Sequence, residues 1–193
     1  MEKFREFLLE LVAQDPLALR GAPEELQCDR EVVLKAVGHN GRALEYASSD
    51  LLADREVVLR AVSQDGIALR FAHPFVQGDR EVVLAAVAQN GESLYWACDF
   101  RSDKDVVLKA VAQNGLALLH ASGDLRGDHD VVMSAVAQNW HAVSSAAEHL
   151  RQDRDIMLRA VSQNGLALRH AAACLQGDRE LVLCAVARNG DAL

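Results

Sequence analysis

The sequence lacks long apolar runs, a secretory start and paired cysteines. No apolar run approaches the roughly 18 residues that a membrane-spanning helix needs, so we expect no membrane association. The chain starts Met-Glu-Lys-Phe-Arg-Glu, without the basic start and apolar core of a signal peptide. The cysteines form no CxxC pair, which favours a reducing compartment; they are Cys28, Cys98, Cys174 and Cys184. We therefore expect a cytoplasmic protein, with the nucleus as the alternative location.

The sequence also lacks a set of residues typical of catalysis or metal binding. Nothing resembles the sharp turn that carries a nucleophilic serine, and Ser144, His141 and Asp130 form a Ser/His/Asp set only on paper. No pair among His129, His141 and His149 has the i, i+4 spacing of a helical zinc site. We therefore expect no enzyme activity, no metal and no cofactor.

What the sequence does contain is one motif repeated along its whole length. The stretch Asp79 to Asn90 reads Asp-Arg-Glu-Val-Val-Leu-Ala-Ala-Val-Ala-Gln-Asn, and altered copies recur every 25 residues, with one 24-residue step after Asp79. We number each repeat from this Asp, which is place one; Phe4 holds that place in the first repeat. A fixed period of this length is typical of a solenoid or similar array. The predicted repeats are 4–28, 29–53, 54–78, 79–102, 103–127, 128–152, 153–177 and the partial repeat 178–193.

The net charge of −8 is concentrated at the first three places of the repeat. Place one carries seven Asp, place three carries eight acids and place two carries seven strong bases, a balance that equals the whole net charge. Binding nucleic acid through its phosphates requires an excess of positive charge. This acidic edge therefore disfavours a nucleic-acid partner.

Places one to eleven predict an α-helix, which we call helix A. Places four, five, six, eight and nine are apolar, as Val32, Val33, Leu34, Ala36 and Val37 are in the second repeat. Paired valines also suit a strand, but a run of about ten residues that follows an Asp favours a helix. The Asp would cap the helix, and the acid at place three would complement the positive end of its dipole.

Place twelve is always Asn or Asp and place thirteen is usually Gly, which predicts a second, shorter helix, called helix B. Asn-Gly alone would indicate a tight turn. Pro16, however, holds place thirteen of the first repeat and suits the first position of a helix. We expect helix B to span about two turns, partly as 3₁₀ helix. A return segment follows, with one apolar residue at place twenty-three, such as Leu26 or Leu51.

The fold class that we predict is an all-α solenoid, a right-handed superhelix of two-helix repeats, with residues 1–193 forming one array. Isolated helices this short are marginal in water, so each repeat must bury its apolar sides against its neighbours. Ala occupies place eight in seven of the eight repeats and place nineteen in all seven that reach it, which allows close approach of the backbones.

The consensus of the repeats reads Asp-Arg-Glu-Val-Val-Leu-x-Ala-Val-x-Gln-Asn-Gly-x-Ala-Leu-x-x-Ala, as over Asp153 to Ala171. This motif resembles the tandem helical repeat known as domain of unknown function 4116. The resemblance covers nearly the whole chain and implies a helical repeat array with no known activity or catalytic residues. The Ala-Val-Ala-x-Asn core is also similar to the leucine-rich repeat variant, whose units pair an α-helix with a 3₁₀ helix. In this chain Gly replaces the Pro usual there, except at Pro16.

Two recurring polar rows are predicted to be structural. Each base at place two would pair with the acids of the next repeat, with a phosphate-binding stripe as the alternative. Gln at place eleven and Asn at place twelve would form a buried amide stack that satisfies backbone groups left open where helix A ends. A surface that reads amides is the alternative for this second row.

A variable face of helix B is the candidate binding surface. Places fourteen and eighteen change between repeats while the core places do not, and we expect them to share one face. Variable packing between repeats is the alternative explanation. Aromatic side chains there are typical of the anchors of protein interfaces. The candidate residues are Arg42, Tyr46, Phe71, Tyr95, Trp96, Leu116, His120, Leu166 and His170.

These patterns predict a non-catalytic scaffold that binds another protein through the variable face of helix B. A structural spacer within a larger protein is the alternative, and a repeat protein that reads nucleic acid is a third hypothesis. The sequence stops at Leu193, within a predicted helix B, which indicates a fragment or an end covered by a partner. We expect a monomer, or end-to-end self-association through this last repeat.

Overall fold

The computed structural model describes residues 2–190, whose regular secondary structure is entirely helical. Three helical elements follow one another in each complete repeat: helix A, helix B and a third, helix C. Between residues 2 and 190 there is no strand, and no helix is both long and apolar enough to cross a membrane. The predicted all-α array of tandem repeats is confirmed. The predicted helix B of the eighth repeat falls largely on residues 191–193, outside the described residues.

Helix A is an α-helix that begins after the Asp of place one, as predicted. Asp54 Oδ1 accepts hydrogen bonds from the backbone N–H groups of Glu56 and Val57, at 2.9 and 3.1 Å, and this cap satisfies donors that the first turn leaves open. An equivalent Asp cap starts helix A from the second to the eighth repeat. The eight helices are Glu2–Gln14, Arg30–His39, Arg55–Gln64, Arg80–Gln89, Lys104–Gln113, His129–Gln138, Arg154–Gln163 and Arg179–Arg188.

Helix B is a 3₁₀ helix throughout, whereas the sequence predicted only a partly 3₁₀ element. Its N-cap is place twelve: Asn40 Oδ1 accepts from the backbone N–H of Arg42 at 3.0 Å. Pro16 begins the first helix B, as expected of a residue with a fixed φ and no N–H to satisfy. The seven helices are Pro16–Gly21, Gly41–Tyr46, Gly66–Phe71, Gly91–Tyr95, Gly115–His120, Trp140–Ser145 and Gly165–His170.

The return segment forms a short helix C, which the sequence analysis missed. Its apolar residue at place twenty-three packs into the core, where Leu26 and Val76 are buried. A backbone N–H at place twenty also donates to the helix C that precedes it, as from His73 to the carbonyl of Leu52 at 2.9 Å. Helix C is α-helical in Glu24–Gln27, Ser49–Leu52, Pro74–Gln77, Gly123–Arg126 and Ala173–Gln176, and 3₁₀ in Cys98–Phe100 and Glu148–Gln152.

Helix A supplies most of the core through places four, five, eight and nine. In the second repeat these are Val32, Val33, Ala36 and Val37, which are fully buried. Leu34 at place six is only half-buried, because about 100° of rotation per residue turns that place away from the stack. The place-six row stays half-buried through the seventh repeat. Helix A is thus apolar on part of its outer surface as well as in its core.

Place thirteen carries Gly because the next repeat approaches too closely for a side chain. A Cβ built on Gly41 would lie 2.3 Å from the carbonyl oxygen of Ala61, and one on Gly115 would lie 2.3 Å from that of Ala135. No residue between 2 and 190 has a positive φ. The Asn-Gly pair therefore serves close packing between repeats and does not form a tight turn.

The chain divides into two compact halves, residues 1–97 and 98–193, which are described separately below. The boundary falls within the fourth repeat, the one with 24 residues. Its helix C is the shortest in the described chain, the 3₁₀ turn Cys98–Phe100. Within each half, neighbouring helices A pack on one another, and each helix B packs on helix A of its own repeat and on that of the next repeat in the same half.

Candidate interaction surface

The bases at place two form the predicted ladder of ion pairs. Arg30 Nε lies 2.9 Å from the Asp54 carboxylate, and its Nη2 also contacts Glu56 at place three. Each such base joins two acids of the next repeat, so the repulsion between a cation and the start of helix A is offset. The other rungs of this form begin at Arg5, Arg55, Lys104 and Arg154. The structural interpretation of this row is confirmed.

The ladder also changes the acidity of the capping aspartates. The hydrogen bond from Arg5 holds the pKa of Asp29 below its usual value. The hydrogen bonds from Arg55 and Lys104 lower the pKa values of Asp79 and Asp128 in the same way. These carboxylates are therefore ionised wherever the ladder is intact, and they are engaged in the scaffold.

The sixth repeat departs from this ladder, because His129 replaces the Arg or Lys of place two. Its Nε2 lies 3.8 Å from the carboxylate of Asp153, and its Nδ1 lies 3.9 Å from Asp130. These separations are too long for hydrogen bonds. The junction between the sixth and seventh repeats thus lacks the rung that the other described junctions have within each half.

The amides at place eleven link each repeat to the one before it. Gln64 Oε1 accepts from the backbone N–H of Gly41 at 2.9 Å, and Gln138 Oε1 accepts from Gly115 at 2.6 Å. In the seventh repeat, Gln163 also donates through Nε2 to the carbonyl of Val136 at 2.5 Å. The predicted bonding of this row to the backbone is confirmed, but the predicted burial is wrong, because Gln64, Gln138 and Gln163 are exposed at the outer end of helix A.

The outer side of helix B is formed by places fourteen and seventeen, with place eighteen beside them. Residues three apart eclipse one another in a 3₁₀ helix, so place fourteen aligns with seventeen, and place eighteen aligns with the buried Ala or Ser of place fifteen. The expectation that places fourteen and eighteen share one face is therefore wrong. It assumed the period of an α-helix. We call places fourteen, seventeen and eighteen together the helix-B surface.

In the first half, an arginine and three aromatic side chains form a cluster on the helix-B surface. Phe71 and Trp96 are half-buried at place eighteen, and Tyr95 at place seventeen is 48% exposed. The Arg70 guanidinium lies 4.7 Å from the centre of the Phe71 ring and 5.8 Å from that of Trp96. Tyr95 and Trp96 meet edge to face at 4.6 Å. This geometry holds the rings in place beside exposed aromatic area.

Two further predicted residues of the first half play different parts. Tyr46 is half-buried at place eighteen of the second repeat. Arg42 is exposed at place fourteen and pairs with Asp65, its Nε lying 2.9 Å from the carboxylate. Because Asp65 caps the next helix B, Arg42 extends the network of ion pairs between repeats. Its proposed role in binding would compete with that pairing.

In the second half, the helix-B surface presents leucines and histidines. Leu116 and Leu166 at place fourteen are 42% and 36% exposed, while His120 and His170 at place eighteen are half-buried. Leu119 at place seventeen is 60% exposed. It was missed because the predicted α-helical period drew attention away from place seventeen.

Trp140 is a second residue whose position was not predicted. It replaces the Gly of place thirteen, stacks on His141 with 3.6 Å between ring centres, and lies 6.5 Å from the ring of His170. The equivalent Gly115 has no room for a Cβ, so the seventh repeat must give way around Trp140. The cluster of Trp140, His141 and His170 joins two repeats of the second half.

A hollow of about 510 Å³ lies on helix A of the second and third repeats. Leu34 and Leu59 at place six, which are only half-buried, supply its apolar part. Its lining residues are Leu34, Lys35, Glu56, Leu59, Arg60 and Ser63. Places three and six recur along the chain, while places seven and ten vary.

The side chains of Ser144 and His141 in the sixth repeat are not joined by a hydrogen bond in the described chain. The Ser144 hydroxyl donates to the backbone carbonyl of His141 at 2.8 Å, and Asp130 lies near His129. Among residues 2–190, no three His, Cys, Asp or Glu side chains are grouped closely enough to hold a metal ion.

The family model described as domain of unknown function DUF4116 matches the chain six times, each match spanning close to two repeats. The matched stretches are 5–52, 54–101, 79–126, 103–151, 128–173 and 153–193. The chain belongs to this family. The DUF4116 matches overlap from the third onward, as expected when a two-repeat model slides along a uniform array. No curated protein and no solved structure gives a significant match.

The consensus of the repeats corresponds to the scaffold in the structure. Its Asp caps helix A, its Val and Ala side chains form the core, and its Gln-Asn-Gly segment joins one repeat to the next. The places that the motif leaves open include fourteen, seventeen and eighteen. The family therefore accounts for the fold, and the helix-B surface is the part particular to each repeat.

Proposed function

We propose that the chain is a non-catalytic scaffold that binds another protein through its helix-B surface. The observation that carries the proposal is the match between repetition and burial. Places four, five, eight and nine recur and are buried from the second to the seventh repeat, whereas places fourteen and seventeen change, place seventeen being exposed and place fourteen exposed or half-buried. A surface that packed only against other repeats would not need this variety.

The chemistry of the exposed residues supports a protein partner. Tyr95 presents a large ring that its contact with Trp96 holds rigidly, and Leu116 and Leu119 add apolar area. Large side chains that lose little freedom on binding are typical interface anchors. The acidic edge formed by places one and three disfavours nucleic acid, because it would repel phosphates.

The test compares two variants in the capture of proteins from an extract of the native host. Tyr95→Ala with Trp96→Ala removes the anchors of the first half, and Leu34→Ala with Leu59→Ala removes similar apolar area from helix A. We expect the first variant to capture at least tenfold less protein, because losing a pair of anchors should cost roughly 2 kcal/mol of binding free energy. The helix-A variant should keep them.

Circular dichroism provides the control for folding, and both variants should keep the helical spectrum. Equal capture by the Tyr95/Trp96 variant and the unchanged chain would contradict the proposal. In that case the spacer hypothesis, in which the array only separates other domains, would take its place.

A further inference from the structure

The helix-B surface of the second half carries a basic residue and no acid, although the whole chain is acidic. Its three helices B, 115–120, 140–145 and 165–170, contain no Asp or Glu. In the first half the corresponding helices carry Glu45 and Glu92. Arg169 at place seventeen forms no ion pair within the described chain; its Nε donates to His170 Nε2 at 3.1 Å. The charge of Arg169 is therefore not balanced by an ion pair within the described chain.

A row of arginines from helix C adds to this charge. Arg101, Arg126 and Arg151 occupy place twenty-four of three successive repeats, where other repeats have Gln or Leu. The Nε atoms of Arg126 and Arg151 are buried and have no hydrogen-bond acceptor in the described chain. Neither side chain has a carboxylate within ion-pair distance in the described chain. A buried donor without an acceptor costs free energy, and these half-buried guanidinium groups are not neutralised by an ion pair in the described chain.

The arginine row lies beside helix B because of a backbone contact. The carbonyl of Arg151 accepts from the N–H of Ala172, just after helix B of the seventh repeat, at 3.0 Å. Burial, with the charges of Arg169, His141 and Arg151, holds the pKa of His170 below its usual value. These groups therefore face a common region around His170, next to the stacked Trp140 and His141.

The carboxylates nearest in sequence to Arg126 and Arg151 are Asp124 and Glu148 on helix C and the helix-A caps Asp128 and Asp153. Asp124 and Glu148 are both exposed, and none of the four forms an ion pair with Arg126, Arg151 or Arg169 in the described chain. They leave the arginines uncompensated.

We infer that the second half binds an acidic, partly apolar peptide segment of a partner protein. Its carboxylates would contact Arg126, Arg151 and Arg169, and its apolar side chains would cover Leu116, Leu119 and the ring of Trp140. This inference rests on the proposed function, because it names the partner chemistry for one part of the helix-B surface. A protein segment fits better than a nucleic acid, because three arginines match a few carboxylates and the exposed side chains of Leu116 and Leu119 suit apolar side chains.

The test begins with a random library of 12-residue peptides displayed on phage and selected on the whole chain. We expect the enriched peptides to contain several Asp or Glu residues among Leu, Phe or similar residues. A fluorescein-labelled copy of the most enriched peptide then serves as the probe. Its fluorescence anisotropy measures the affinity for the unchanged chain and for two triple variants with equal loss of charge.

The first variant is Arg126→Gln, Arg151→Gln and Arg169→Gln, and the matched control is Lys109→Gln, Arg159→Gln and Arg188→Gln on helix A. Gln already occupies place twenty-four in three repeats, where Gln77 donates to the carbonyl of Leu69 at 3.0 Å. Folding of the first variant is therefore expected. We predict that the first variant binds the probe with about tenfold lower affinity, the effect of three exposed ion pairs acting together. The control should change this affinity by less than about twofold.

The pKa of His170, followed by NMR, gives a second readout. A bound carboxylate should raise this pKa, because it stabilises the charged imidazole. Enriched peptides without acids, whose affinity depends on Leu116 and Trp140 but not on the arginines, would overturn the inference and leave the proposed function standing. An oligonucleotide that binds more tightly than any peptide through the same arginines would overturn it too. If no enriched peptide binds the helix-B surface, both the inference and the proposed function are overturned.

Discussion

The two halves of the chain share one scaffold and differ in the surface it presents. In the first half, helix B exposes Tyr95 beside Arg70 and carries acids as well as bases. In the second half, it exposes Leu116 and Leu119 and carries no acid. The caps and the core are nevertheless the same in both, and the ladder differs only where His129 replaces a base in the second half. The comparison teaches that stability and recognition are assigned to different places of the repeat, so that one can change without the other.

The largest expected effect tests whether the scaffold is the same in both halves. Gly41→Ala and Gly115→Ala should each destabilise the chain by about 1 to 3 kcal/mol, because the new Cβ must displace a carbonyl oxygen of the next repeat. Gly123→Ala is the control, since its Cβ would meet nothing within 4 Å. Urea unfolding measures the difference. A large loss in only one half would show that the two stacks are not equivalent.

A second, smaller effect concerns acid, which should weaken both halves. The folded-state pKa values of Asp29, Asp79 and Asp128 are lowered, so the stability they contribute is present above their unfolded pKa of about 4. It is lost as the pH falls through their lower folded values. Thermal unfolding between pH 6 and pH 2 should show this loss. Asp79→Asn, which keeps a capping oxygen and removes the charge, should flatten the dependence.

The smallest effect should appear in the second half alone. Burial lowers the pKa of His170 below its usual value of about 6.5. The neutral form is therefore favoured by folding, and its contribution is lost as the pH falls below about 6.5 and through the lowered value. Amide hydrogen exchange at pH 7.5 and pH 5.5 should show weaker protection of residues near His170 at the lower pH, and His170→Gln should remove the difference.

The first half supplies the control for that measurement, because its place eighteen holds Tyr46, Phe71 and Trp96 instead of histidine. Protection around these residues should change less between the two pH values. An equal change in both halves, or one that persists in His170→Gln, would contradict the assignment to His170.

Much of the scaffold could be predicted from the sequence because its signals are local and repeated. Asp54 marks a helix start whether or not the rest of the fold is known, and Pro16 distinguishes a helix from a turn at place thirteen. The ladder of bases and acids followed from one anomaly, a cation beside a helix N-terminus. Each of these inferences depends on neighbours in the chain or on the same place in the next repeat.

The parts that sequence reasoning missed depend on packing between repeats. Helix C contains a single recurring apolar residue in each repeat, such as Leu51. Helical periodicity cannot be recognised from one apolar residue, so the sequence did not reveal this helix. The 3₁₀ form of helix B moved Leu119 onto the outer side. The unpaired state of Arg126 and Arg151 could not be inferred, because neighbouring acids in the sequence do not show which ion pairs form.

The most direct test of the account replaces place seventeen, which is exposed in the second to seventh repeats, with alanine, and measures both thermal unfolding and capture of the native partner. Because these side chains are assigned to recognition, we predict that capture is lost while unfolding stays cooperative and its midpoint falls by only a few degrees, roughly 1 kcal/mol of stability. An array that unfolds, or one that still captures its partner, would contradict the division between scaffold and recognition surface.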